Sequence, residues 1–173
     1  ALHLSPTTQL SILKDIIHSL ENYKIYKLVI INGHGGNEFK ALLRELYGQT
    51  KIFLFLIDWW NVRKDIADKI LEDKEGEHGN EAETSWLMYL YPELVHLEWA
   101  DEGIINKPRF EEIKNGWVWI TRPWHLLTKN SGHGNPKKAT SEKGKMMVDG
   151  ATDRISEFLL KLSNTEIDDK FPY

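Results

Sequence analysis

Residues 27–37, KLVIINGHGGN, join two halves that ask for different structures. Leu28, Val29, Ile30 and Ile31 are consecutive apolar residues, mostly β-branched. A short run of that kind predicts a strand buried on both faces, as in a parallel sheet. Asn32-Gly33 is a turn signal, and a helical pattern resumes from Glu38. The layout is strand, glycine-rich turn, helix. In open α/β sheets, ligands bind in the crevice beyond the carboxyl ends of the strands. His34 therefore stands where chemistry is expected, on a backbone bared by Gly33, Gly35 and Gly36. Glycine permits φ > 0 and close approach of a ligand. A solvated or locally hydrogen-bonded loop histidine is the plain alternative.

The flanks extend the same architecture. Ser5 can cap a helix whose first turn holds Pro6. Leu10, Leu13, Ile16, Ile17 and Leu20 then recur with helical spacing. Phe39, Leu42, Leu43 and Leu46 mark the next amphipathic helix, with Gly48 placed to stop it. Residues 52–57 read as a second buried strand, which completes a βαβ unit. Asp58 at its carboxyl end is expected in the same crevice as His34, beside Trp59 and Trp60. Residues 61–71 read as a further helix and 72–76 as a charged break. Residues 117–120 suit a strand. A long helix is expected from about Lys137 to Leu162, with Met146, Met147, Ile155, Phe158 and Leu159 on its buried side. Gly144 and Gly150 should weaken it by about 1 kcal/mol each relative to alanine. The expectation is one α/β domain over residues 1–173, a parallel-stranded sheet flanked by helices, with a polar tail after Asn164.

Composition narrows the chemistry. A net charge of -4 gives no electrostatic footprint for nucleic acid. No apolar run is long enough for a bilayer and no signal-peptide pattern opens the chain, so the cytoplasm is the expected location. There is no cysteine, so any metal must be held by His, Asp, Glu or water. P-loop, GxSxG, HExxH and CxxC patterns are all missing.

His78, Glu81 and Glu83 cluster at a predicted helix start, HGNEAETS. With Asn80 as N-cap, Glu83 falls at the third helical position. That is the geometry of a capping box, in which the carboxylate reaches back to the cap's own N–H. Glu81 in the first turn suits the helix dipole. Structure alone thus accounts for both acids. Imidazole and carboxylate from separate loops are equally what a divalent ion with nitrogen and oxygen ligands needs.

INGHGGN after an apolar strand, then HGNEAETS running into WLMYLYPELV, resembles the creatininase (creatinine amidohydrolase) family. That family's second signature is close to HAGExETSxML…PELV. SGHGNP…ATSEKG resembles its GxxGDPxxATxEKG segment. The resemblance implies a three-layer α/β/α fold, a two-metal centre and hydrolysis of a cyclic amide, amide or formamide C–N bond. It implies homo-oligomers, often hexamers, and a small-molecule amide substrate.

By motif position, His34 and Glu83 would be metal ligands for zinc, manganese or iron, and His78 would be catalytic. Backbone N–H groups of Gly35, Gly36 and Asn37 would face substrate or its oxyanion. The family's Glu-x-His pair and bridging Asp are expected ahead of the first helix, so the domain is expected to be N-terminally incomplete. Gly36 stands where creatininase proper has Glu, which points away from creatinine as substrate. The competing expectation is a metal-free, non-catalytic, oligomerising domain.

Overall fold

The computed structural model describes residues 3–173, which group into two compact units, one running to Val62 and the other from Arg63 to Tyr173.

The first unit is built on the βαβ pattern. Helix α1 (Pro6–Asn22) starts at Ser5, whose hydroxyl accepts the Thr8 N–H, with Pro6 in its first turn. It stops where Lys24 adopts φ 58°. Strand β1 (Lys27–Asn32) runs parallel to β2 (Phe53–Asp58), in a register that pairs Leu28 with Leu54 and Asn32 with Asp58. Helix α2 (Phe39–Glu45) connects them, and its exit passes through Gly48 at φ 78°.

Leu13, Ile17, Leu42, Leu46 and Ile52 form the core, with Leu28, Ile30 and Leu54 packed on it. These strand positions alternate, as one face of a pleat must. The expectation of strands buried on both faces therefore fails inside this unit. Its strands are half-buried and Ile31 is 52% exposed. A short helix, α3 (Trp59–Val62), follows β2 directly.

The second unit begins at Arg63 and continues as α4 (Lys64–Ile70). The helix expected over 61–71 is thus interrupted at Arg63, which has φ -107° and ψ 5°. Helix α5 (Glu81–Leu90) packs along α8 (Ser141–Asn164), and the short helices α6 (Glu111–Lys114) and α7 (Trp124–Leu127) lie in the chain between them.

Residues 117–120 form no strand. Trp117 and Trp119 are 71% and 82% exposed, and β-propensity without pairing partners makes no ladder. Helix α8 starts at Thr140, whose hydroxyl caps the Lys143 N–H, because Pro136–Lys138 is a separate 3-10 turn. Met147 is fully buried on α8, whereas Met146, Phe158 and Leu159 are exposed.

The two glycines of α8 serve packing. A Cβ on Gly144 would lie 1.9 Å from the Ser85 carbonyl oxygen, and one on Gly150 would lie 2.5 Å from Ile66 Cδ1.

Candidate functional site

In the first unit, the glycine turn is tied to the strand ends by Asn32, which is 2% exposed. Asn32 Oδ1 accepts the His34 N–H and the Asn37 side-chain amide, each at 3.1 Å. Its Nδ2 donates to Asp58 Oδ1 at 3.0 Å, and Lys40 Nζ lies 3.2 Å from Asp58 Oδ2. Asp58 thus does stand at the carboxyl end of the sheet beside the turn, joined to it through Asn32.

The His34 ring folds back on its own turn. Nδ1 accepts the Gly36 N–H at 2.9 Å, and a Cβ on Gly36 would sit 3.0 Å from that nitrogen. The Asn37 N–H donates to the His34 carbonyl. Two of the three backbone donors considered for an oxyanion are therefore spent within the turn.

In the second unit, Asn80 caps α5 by accepting the Glu83 N–H at 3.1 Å. The Glu83 carboxylate reaches back to the Gly79 N–H at 2.6 Å, one residue before the cap's own. The capping box forms, shifted by one donor, and the shift brings Glu83 Oε2 to 3.9 Å from His78 Nδ1. The His78 ring lies against Trp124, with centroids 5.3 Å apart, and the Arg122 guanidinium carbon stands 5.2 Å from the Trp124 ring centroid.

Arg63 is buried, its guanidinium 4.2 Å from the Trp86 ring centroid. Burial holds Arg63 down to about 10, opposed by the charge of Glu83, so it remains a cation at neutral pH.

Glu81 does something else. It is fully buried, and its Oε2 accepts the Glu72 and Asp73 N–H groups at 2.8 and 2.7 Å, while Oε1 accepts from Lys143 Nζ. It anchors the 72–76 segment to both helices rather than facing His78.

Sequence reasoning separated the second and third motifs, and the backbone joins them. His78 and His133 exchange both N–H···O bonds, at 3.0 and 2.7 Å, as an antiparallel bridge. Asp73 accepts from Gly76 N–H and Asn135 N–H. Gly76, Gly103 and Gly134 pack backbone to backbone, so that a Cβ on Gly103 would meet the Gly134 oxygen at 2.1 Å. The result is a cleft of about 240 Å³ with His78, Asp101, Asn130 and Ser131 among its walls. Trp124, Asp101 and Asn130 were missed at the sequence level, since no local spacing relates them to residue 78.

A family model described as creatininase, creatinine amidohydrolase, matches residues 1–159. The chain belongs to the creatininase family. The creatinine amidohydrolase of Pseudomonas putida is 33% identical over 173 residues, covering 89% of this chain and 64% of its own length. The 3-dehydro-scyllo-inosose hydrolase of Thermotoga maritima is 32% identical over 100 residues, covering 51% of this chain and 30% of its own length. The chain thus spans less than two thirds of either of these curated relatives.

Among solved structures, a protein of Bacteroides fragilis provisionally assigned as a creatinine amidohydrolase superposes with TM-score 0.89 at 32% identity, over 98% of this chain and 66% of that one. A manganese form of creatininase superposes with TM-score 0.69 at 23% identity, over 95% and 67%. These likenesses establish the α/β fold with its parallel sheet between helices.

Among the described residues, no three His, Asp or Glu side chains gather as a metal site. As placed, His34 offers its Nδ1 lone pair to Gly36 and not outward. A catalytic divalent ion normally takes three protein ligands. Among the described residues, the donors therefore do not complete a ligand set for the ion.

Proposed function

We propose that this chain carries the acid–base half of an amidohydrolase that cleaves the C–N bond of a small non-peptide amide, cyclic amide or formamide. The observation that carries this reading is the His78–Glu83 pair, set on the family's own motif. Glu83 is held by the Gly79 N–H and lies 3.9 Å from His78 Nδ1. A carboxylate on the Nδ1 side steadies the ring's orientation. The opposite ring nitrogen, Nε2, can then deliver a proton to the nitrogen that leaves. Both side chains remain partly exposed, so water screens their attraction.

Zinc or manganese, or else iron, is the cofactor that family membership suggests. His34 and Glu83 alone make an incomplete ligand set for such an ion. A homo-oligomer is the assembly we infer. The exposed Trp117 and Trp119 support contact surfaces there. No described helix is long and apolar enough to cross a membrane.

A second reading is favoured by the cleft walls. The named substrate of the Thermotoga relative is a cyclic polyol derivative rather than an amide. Carboxylate, amide and hydroxyl groups beside His78 suit a ring of that kind.

The two readings separate on a substrate panel. An amidohydrolase releases an amine or ammonia from cyclic amides or formamides, and loses that activity in His78→Gln. Hydrolysis of polyol-derived rings alone would favour the second.

A further inference from the structure

We infer that the cleft bounded by residues 78–79, 100–103 and 130–136 is a subsite for an uncharged, hydroxyl-bearing part of the ligand, held beside the His78 ring. The inference rests on the proposed role of His78 and adds the class of group bound next to it.

Four observations carry it. The first is size and origin. The cleft holds about 240 Å³ and is built wholly within the second unit. That is slightly under the usual range for ligand pockets, about 300 Å³ and upward, and suits one small ring or chain.

The second is rigidity. Gly103 and Gly134 have φ 58° and 114°, and neither accepts a side chain: a Cβ on Gly103 would meet the Gly134 oxygen at 2.1 Å, and one on Gly134 would meet Gly76 Cα at 2.4 Å. The Gly134 N–H donates to the Gly103 carbonyl at 3.0 Å. Walls fixed in this way need little ordering when a ligand arrives.

The third is the set of polar groups. Asp101 Oδ1 accepts the Gly103 N–H at 2.8 Å and Oδ2 accepts from Asn130 Nδ2 at 2.9 Å. Asn130 Oδ1 accepts the Gly132 N–H at 3.1 Å. These bonds orient the acid and the amide without exhausting them, since each carboxylate oxygen accepts more than one hydrogen bond and the amide has a second N–H. Ser131 also lines the cleft, at φ 70°, with its N–H on Thr128 Oγ1 at 2.8 Å. A non-glycine residue held in the left-handed region marks a conformation that the surroundings enforce.

The fourth is charge. Among the described residues that line the cleft there is one carboxylate and neither Lys nor Arg. An anion would face the Asp101 carboxylate with no lining Lys or Arg to offset it. A purely apolar group would bury acid, amide and hydroxyl without partners. A hydroxyl both donates to the carboxylate and accepts from the amide or the serine, so it satisfies the set.

The test is a binding measurement on the whole protein, read separately from turnover. Calorimetry with myo-inositol as a neutral polyol should give saturable binding, and gluconate, an anionic polyol, should bind at least tenfold more weakly. Ser131→Gly removes the hydroxyl where glycine is the easier residue. It should weaken myo-inositol about tenfold and leave the melting temperature unchanged or raised. Absence of myo-inositol binding overturns the inference, as does equal affinity in Ser131→Gly or for gluconate. If amides are hydrolysed and no polyol binds, the subsite fails and the enzyme reading stands. If the polyol binds as expected and no amide is hydrolysed, the reverse holds.

Discussion

The fully buried carboxylate of Glu81 accepts a hydrogen bond from Lys143 Nζ at 2.5 Å, across 62 residues of chain. Removing one member of a buried pair leaves an uncompensated charge. Lys143→Met should therefore destabilise the second unit by about 3 kcal/mol in urea unfolding. A loss under about 0.5 kcal/mol, the size of an ordinary surface change, would mean that the two backbone N–H groups on Glu81 suffice.

That pair also sets a pH dependence. The hydrogen bond to Glu81 raises Lys143 above the ordinary lysine value, with burial opposing and Glu72 adding to the rise. A raised lysine contributes stability that is complete below its unfolded value and lost as pH climbs through the folded one. The difference in unfolding free energy between wild type and Lys143→Met should shrink as pH climbs into the strongly alkaline range.

The exposed Asp65–Arg154 bridge has the opposite sign. The Arg154 hydrogen bond lowers Asp65 to about 2. A depressed carboxyl contributes above its unfolded value, and the contribution is lost as pH falls through about 2. An NMR titration should place Asp65 near that value, and Arg154→Met should return it to the ordinary carboxylate range. An unchanged midpoint in the variant would contradict the assignment.

Gly144→Ala separates local propensity from packing. Propensity alone favours alanine by about 1 kcal/mol. With Ser85 O only 1.9 Å from the added Cβ, the variant should instead lose about 2–3 kcal/mol, because α5 and α8 must part. Thermal unfolding decides between the two signs.

These contrasts show what was legible. Local chemistry placed the Ser5 and Asn80 caps, the two strands and the glycine turn, since each depends on neighbours within a few residues. The strand expected at 117–120 failed, because a β-prone run forms a ladder only when another strand reaches it. The start of α8 moved from 137 to 141 because Asn135 caps only the short turn after it, extended backbone at Ala139 (ψ 141°) ends that turn, and Thr140 caps the helix that follows. The roles of Glu81, Asp73 and the Gly76–Gly103–Gly134 junction were hidden, for they depend on segments far apart in the chain. His78 and Glu83 were singled out by their motif, and their orientation came from the one-residue shift in the capping bond.

Asn32→Ala should loosen the glycine turn. It removes one acceptor shared by His34 N–H and Asn37, and one donor to Asp58. A cost of about 2 kcal/mol in unfolding free energy is expected, with faster hydrogen exchange at residues 33–37. Unaltered exchange there would show that the turn holds itself.

The central claim is that His78 is the proton-transferring group of an amidohydrolase. Steady-state hydrolysis of a panel of small cyclic amides, amides and formamides, by the purified protein and by His78→Gln at matched melting temperature, tests it most directly. The predicted result is turnover of at least one substrate, reduced about a hundredfold to ten-thousandfold in the variant. Turnover within twofold of wild type in His78→Gln would contradict it.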